Sequence, residues 1–142
     1  MPHTVHPYTA DAHAGGYGLA GAAALGVEPE RMLKTLLADL DGALVCAVVP
    51  VAGTLDLKAL ASALDGRKAV MAEPARAERS SGYVVGGISP LGQKARLRTV
   101  VDVAAELFDT VHVSAGKRGL SLELAPADLV RLTSAVVADV AR

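Results

Sequence analysis

The sequence predicts an α+β domain with a mixed β-sheet, on three observations. Apolar runs of strand length and amphipathic helical stretches are interspersed without the strict alternation of a doubly wound fold. The 142 residues fit one domain, residues 1–142, and suffice to bury a substantial core. That core has to be built from Ala, Val and Leu, because 51% of the residues are hydrophobic while aromatics are only 3%, with no Trp.

Residues 2–16 are rich in His, Gly and Thr without helical periodicity and read as an extended entry segment. Tyr17–Leu25 has helical composition, with Gly26 placed to end it. Met32–Leu40 and Ala43–Val49 read as strands, and Asp41-Gly42 between them is a strong hairpin signal. Asp56 is placed to cap a helix over Leu57–Leu64, whose Leu57, Leu60, Ala61 and Leu64 share one face. A short strand over Lys68–Met71 and a short helix over Glu73–Arg79 follow. Arg98–Val101 reads as an apolar extended stretch, and Asp102 opens a helix through Leu107. Thr110–Val113 and Leu120–Leu124 read as strands. Pro126 suits the first turn of a terminal helix running to about Val140, with Leu129, Leu132, Val136, Val137 and Val140 on its apolar side.

Two glycine-rich, basic runs stand out from this frame: Gly82–Lys94 and Ser114–Leu120. Glycine adds little core surface and costs chain entropy on ordering, so such runs point to a site where backbone groups approach a ligand. Gly82, Gly86, Gly87, Gly92, Gly116 and Gly119 are candidates to line one pocket, with Lys94, Arg96, Arg98, Lys117 and Arg118 beside them. Residues 67–118 hold nine Lys/Arg against five Asp/Glu, a segment of about +4 inside a chain of net charge -1. Such a field can steer a phosphate-bearing ligand but is too weak for long duplex DNA. Neither run matches a P-loop or a dinucleotide fingerprint.

Other chemistries are excluded or disfavoured. There is no Gly-x-Ser-x-Gly nucleophile elbow and no paired Cys/His zinc spacing. His3-x-x-His6, with His13 nearby, is a weak metal signal, and His112 in a strand reads as structural. Cys46 is the only cysteine and sits in the apolar run Leu44–Val49, where a thiol behaves as a small hydrophobe. No apolar run approaches the roughly 20 residues that span a bilayer, and Met-Pro-His-Thr has no basic or apolar leader character. A cytoplasmic protein without membrane contact is the expectation.

Val85-Gly-Gly-Ile-Ser-Pro-Leu-Gly-Gln-Lys94, Ser114-Ala-Gly-Lys-Arg-Gly-Leu120, Leu33-Lys-Thr-Leu-Leu37 and Pro50-Val-Ala-Gly53 resemble the YbaK/EbsC family of aminoacyl-tRNA deacylases. That family is related to the editing domain inserted in bacterial prolyl-tRNA synthetases, and the resemblance runs from about His6 to Arg142. It implies a curved, partly closed mixed sheet with surrounding helices, and no cofactor. It also implies a pocket with Lys34 at its floor, orienting the aminoacyl ester or the terminal adenosine by charge-assisted hydrogen bonds. The implied reaction needs no protein nucleophile: the thiol of a cysteinyl ester attacks its own carbonyl and leaves as a thiolactone. The protein then has to position the ester and stabilise the oxyanion, with backbone NH groups around Gly86–Pro90 and Ser114–Gly116 as donors.

By the same resemblance, Lys34, Gly86, Ser114 and Gly116 carry catalysis. Gly87, Ile88, Ser89 and Pro90 form a loop that measures side-chain size, Lys117 and Arg118 meet the phosphates of the CCA end, and Tyr8 and Tyr17 flank the pocket mouth. The implied partners are a misacylated tRNA, Cys-tRNA(Pro) and also Cys-tRNA(Cys), and prolyl-tRNA synthetase in a transient complex, without DNA. Two alternatives stay open: an Ala-tRNA(Pro) deacylase using water, and a non-catalytic module that binds aminoacyl-tRNA or a nucleotide.

The sequence departs from the family pattern in four places. Many relatives have a further helix before the segment matching His6 and Tyr8, and a missing covering helix or a misassigned start is the expectation here. Ala115 replaces a glycine, which is tolerable at negative φ. Tyr17 stands for phenylalanine, and Ser121 for an aspartate, which puts strict cysteine preference and the partner of Lys34 in question.

Overall fold

The computed structural model describes residues 1–9 and 16–142. In chain order these form β1 (His3–Pro7), α1 (Gly16–Leu25), β2 (Leu33–Leu40), β3 (Ala43–Pro50), α2 (Leu57–Ala63), β4 (Ala69–Met71) and α3 (Pro74–Ser81). There follow β5 (Thr99–Asp102), a 3-10 helix (Val103–Leu107), β6 (Val111–Ser114), β7 (Leu120–Leu124), α4 (Pro126–Thr133) and β8 (Val136–Ala138). The α+β class read from the sequence is the observed one, with the strands divided between two sheets.

The larger sheet has the order β4-β2-β3-β5-β8, antiparallel across β4, β2 and β3 and parallel from β3 to β8. The smaller is the antiparallel β1-β7-β6. Local signals set much of this. Asp41 and Gly42 both take positive φ, the requirement of a two-residue hairpin loop, and Leu40 pairs with Ala43 across it. Asp56 caps α2 by accepting the Ala59 NH at 3.0 Å, and Asp102 caps the 3-10 helix through the Ala104 NH.

The terminal helix is shorter than its apolar period suggested. Ser134 adopts a left-handed conformation at φ 52 and ends α4 after Thr133. The β-branched Val136 and Val137 then pair in parallel with Val100 and Val101, a packing that suits them better than a helix. Buried Asp102 fastens the end of the chain by accepting the NH groups of Val140 and Ala141, each at 2.9 Å.

Both faces of the larger sheet are buried. One carries Leu33, Leu37, Cys46, Val48 and Val101, packed on Val111, Val113 and Leu124 of the smaller sheet and on Leu129 of α4. The other carries Ala38, Val45, Ala47, Val49 and Val100 beneath Leu60 and Leu64. The two sheets are joined where His112 donates its NH to Arg31 O and bridges Met32 in parallel. Beyond that join no strand pairs with the outer edge of β2 until β4 does so over Ala38–Leu40. The edge of β2 is thereby left open over its first half.

Candidate active site

That open edge lines a cavity of about 400 Å³. Leu33–Leu37 form one wall, Val113, Ser114, Leu120 and Ser121 the opposite one, and Gly86 and Ile88 reach in from the first glycine loop. Backbone groups of alternate residues point to opposite edges of a strand. Arg31 O and Leu37 O are bonded on the outer edge, by His112 NH and Ala72 NH. The parallel bridge of Met32 to His112 also engages Leu33 NH, so by parity it is Leu33 C=O and the NH and C=O groups of Thr35 that face the gap between them. Thr35 is itself buried and lines the cavity, and its hydroxyl is the one buried side-chain polar atom without a partner among the described residues. An unpaired polar group in such a place is ready for a ligand or water.

Lys34 lies on the same strand and lines the cavity. Its Nζ donates to Gly53 O at 2.8 Å, so the partner put in question by Ser121 is the main chain of the Pro50–Gly53 turn. Burial lowers its pKa, and an ammonium has three donors, which leaves two for a ligand.

The two glycine loops are packed main chain to main chain. A Cβ on Gly87 would stand 2.8 Å from Lys117 Cα and from Arg118 N, Ser114 Oγ donates to Gly87 O at 2.8 Å, and the Arg118 guanidinium bonds Val85 O. Tyr83, unremarked in the sequence, locks the pair: its hydroxyl donates to Leu91 O at 2.7 Å, while its ring lies against Gly92 and Gly116. These contacts occupy several of the expected donors. Gly87 NH bonds Val84 O, Ala115 NH bonds Leu120 O, and Gly116 NH bonds Ser114 Oγ. The NH groups of Gly86 and Ile88, both in cavity-lining residues, have no partner among the described residues. Ala115 avoids positive φ, as its replacement of glycine required.

The expected residues therefore separate. Tyr8, Lys34, Gly86, Ile88 and Ser114 line the cavity. Gly87, Gly116 and Arg118 shape the loops behind it, and Lys117 is exposed at the loop tip. Ser89 is buried with its hydroxyl accepting the Leu91 NH, and Pro90 borders a second cavity of about 250 Å³. Tyr17 is on α1, with its side chain outside the described residues. Of the six glycines proposed to line one pocket only Gly86 does so; the others serve turns and close approaches. None of the five basic residues beside them reaches the cavity: Arg96 bonds Ser134, and Arg98 bonds Leu64 O.

The remaining chemistry-bearing groups lie elsewhere. Cys46 is buried in the core, and burial pushes its thiol up to about 11, so it carries no thiolate at neutral pH. Among the described residues His3 bonds Met1 O, and His13 lies outside them. Among the described residues His6, His112 and Glu123 bring donor atoms within 4.8 Å of one another, but the cation at that carboxylate is already Arg31, 2.8 Å from Glu123 Oε2. No helix among the described residues is long and apolar enough to cross a membrane.

Known proteins share this sequence pattern and this fold. Residues 19–132 match the model of the aminoacyl-tRNA editing domain. Over 121 residues, 84% of the chain and 73% of the relative, the sequence is 39% identical to an Enterococcus faecalis protein provisionally named Cys-tRNA(Pro)/Cys-tRNA(Cys) deacylase EbsC. It is 34% identical over 89 residues to the Escherichia coli multifunctional Ser/Thr-tRNA deacylase ProXp-y, covering 62% of the chain and 53% of that protein. Among solved structures, hypothetical protein APE2540 superposes with a TM-score of 0.88 at 25% identity, covering 100% of this chain and 93% of the other. A structure described provisionally as a trans-editing enzyme for prolyl-tRNA synthetase gives 0.87 at 23% identity over 99% and 87%, which speaks for the shared fold.

Proposed function

From the premise that this chain belongs to the family of aminoacyl-tRNA editing domains, and is an aminoacyl-tRNA deacylase, we propose that it works in trans on misacylated Cys-tRNA(Pro), with Cys-tRNA(Cys) a further substrate. The observation that carries this reading is the composition of one cavity: a half-buried ammonium, two unbonded backbone NH groups and a largely apolar wall broken by the hydroxyls of Thr35, Ser114 and Ser121.

In this mechanism the aminoacyl group enters the gap beside β2, and Lys34 holds the ester or the terminal adenosine with the protons not engaged by Gly53. The cysteinyl thiol attacks its own carbonyl carbon. The Gly86 and Ile88 NH groups take up the negative charge that develops on the carbonyl oxygen, and the ribose oxygen departs with the tRNA while the amino acid closes to a thiolactone. Bringing the two reacting groups together in one molecule supplies much of the acceleration. Ile88 limits the size of the accepted side chain. Gly87, Ser89, Pro90, Ser114 and Gly116 keep the loop in shape behind it, with the Ser114 hydroxyl donating to Gly87 O and the Gly116 NH donating to Ser114 Oγ.

Tyr8 flanks the entrance, where a phenol can stack on adenine. Lys117 and Arg118 meet the CCA phosphates, assisted by the net positive 67–118 segment. A protein reading only the amino acid and the CCA end would draw its tRNA specificity from a transient complex with prolyl-tRNA synthetase in the cytoplasm. The test is a panel of cysteinyl-, alanyl- and seryl-tRNA offered to purified protein. Cysteinyl-tRNA is cleaved fastest on this reading, and equal rates for all three contradict it.

A further inference from the structure

The smaller sheet has one polar face that runs from the cavity toward solvent. Ser114 pairs with Ser121 and His112 with Glu123 across β6 and β7, and His6 of β1 pairs with Ser121 from the other side. Residues two apart on a strand share a face, so these side chains stand together while Val111, Val113 and Leu124 enter the core behind them. Ser121 lines the cavity. Its Oγ is 3.1 Å from Nδ1 of the buried His112, and His112 Nε2 is 3.9 Å from Glu123 Oε1. Glu123 is held in turn by the Thr110 hydroxyl at 2.5 Å, by His6 Nε2 at 2.8 Å and by Arg31.

We infer that Ser121 is a catalytic residue of the deacylation and His112 a positioning residue behind it, together forming the proton relay that the substrate-assisted reaction otherwise lacks. The inference rests on the deacylase reading above and adds to it the group that takes the thiol proton. Burial lowers the His112 pKa despite the opposing effect of Glu123, so the ring is neutral near pH 7. The charged or titratable groups facing it are Glu123 from β7, Arg31 ahead of β2, and His6 from β1, whose ring centroid is 5.2 Å away. In this relay the ring proton sits on Nε2, on the side of the Glu123 carboxylate 3.9 Å away, and Nδ1 accepts the Ser121 hydroxyl. Ser121 then turns its oxygen lone pairs toward the cavity.

As the S–C bond forms, the thiol proton passes to Ser121 Oγ and the original Ser121 proton moves to His112 Nδ1. The carbonyl electron pair goes onto the carbonyl oxygen. When the tetrahedral centre collapses, the C–O bond to the ribose breaks, His112 returns its proton to Ser121, and Ser121 gives one to the departing ribose oxygen. Both residues end as they began. Glu123 stabilises the transient imidazolium without taking a proton.

The experiment measures kcat and KM from pH 5 to 8 on cysteinyl-tRNA(Pro) for the wild type, Ser121→Ala, His112→Asn, Ser121→Asp and the double variant Ser121→Asp/His112→Asn. General acid–base catalysis contributes upward of about a hundredfold, so Ser121→Ala and His112→Asn are expected to lose kcat on that scale with KM little changed. Wild-type activity falls as acid protonates His112, and this limb is absent from both variants. A carboxylate at position 121 takes the proton alone, so Ser121→Asp stays active with or without His112. Wild-type kcat and an unchanged acid limb in Ser121→Ala overturn the relay while leaving the deacylase reading standing. A wild type inert toward every aminoacyl-tRNA overturns both. Should His112→Asn not fold, Ser121→Ala, which removes only a hydroxyl, decides alone.

Discussion

Gly87 and Lys117 touch main chain to main chain: a Cβ on the glycine would meet Lys117 Cα at 2.8 Å. The contact joins the two glycine-rich loops and fixes how far Gly86 and Ile88 protrude into the cavity. Gly87 is not among the positive-φ glycines, so spacing rather than backbone conformation demands it. In Gly87→Ala the loops have to part, and overpacking of this kind costs about 1–3 kcal/mol. The expected result is a Tm several degrees lower and a fall in kcat larger than any change in KM, checked by thermal melts and deacylation kinetics. Wild-type kcat in this variant would show that loop spacing does not set the oxyanion donors.

Lys34 contributes to the site more than to the fold. Its one hydrogen bond is to an accessible turn carbonyl, and its partial burial already works against its charge. Hydrogen bonds to charged groups are worth about 1.5–3 kcal/mol, so Lys34→Ala is expected to lower kcat/KM by roughly ten- to a hundredfold while Tm moves little. Kinetics and a melt on the same preparation check this. Retained activity would remove Lys34 from the mechanism.

Glu123 makes the fold sensitive to acid. The Thr110 hydroxyl, then His6, hold its pKa below the usual carboxylate range. A depressed folded-state pKa means that the stabilisation is present above the unfolded value and is lost as pH falls through the folded one. Wild type is therefore expected to be more stable than Glu123→Gln at pH 7, with the gap closing toward pH 3. Chemical denaturation at the two pH values measures it, and a gap unchanged by pH would contradict the assignment.

The local signals in this chain were legible and the non-local ones were not. Asp41-Gly42, Asp56 and Pro126 each act within a few residues, and each does what its residue type dictates. Val136–Val140 misled because its spacing fits a helix face, while β5 offers the β-branched pair a parallel partner some 35 residues upstream, a contact no local window contains. The glycine loops and Lys34 were recognisable from motif residues, yet which of them reach the cavity depends on how the loops stack. That is why Gly86 and Ile88 separated from Gly116, Ser89 and Pro90. Thr35 was hidden for a related reason: its exposure to the cavity follows from the shortness of β4. A hydroxyl next to a lysine in an otherwise apolar strand was the one available hint.

The most direct test of the account is the identity of the amino-acid product when purified protein cleaves cysteinyl-tRNA(Pro), read by mass within the first turnovers. Attack by the substrate's own thiol releases cysteine thiolactone together with intact tRNA, before spontaneous opening in water. Free cysteine as the first product, carrying oxygen from labelled water, would show that water is the nucleophile and would contradict the substrate-assisted mechanism.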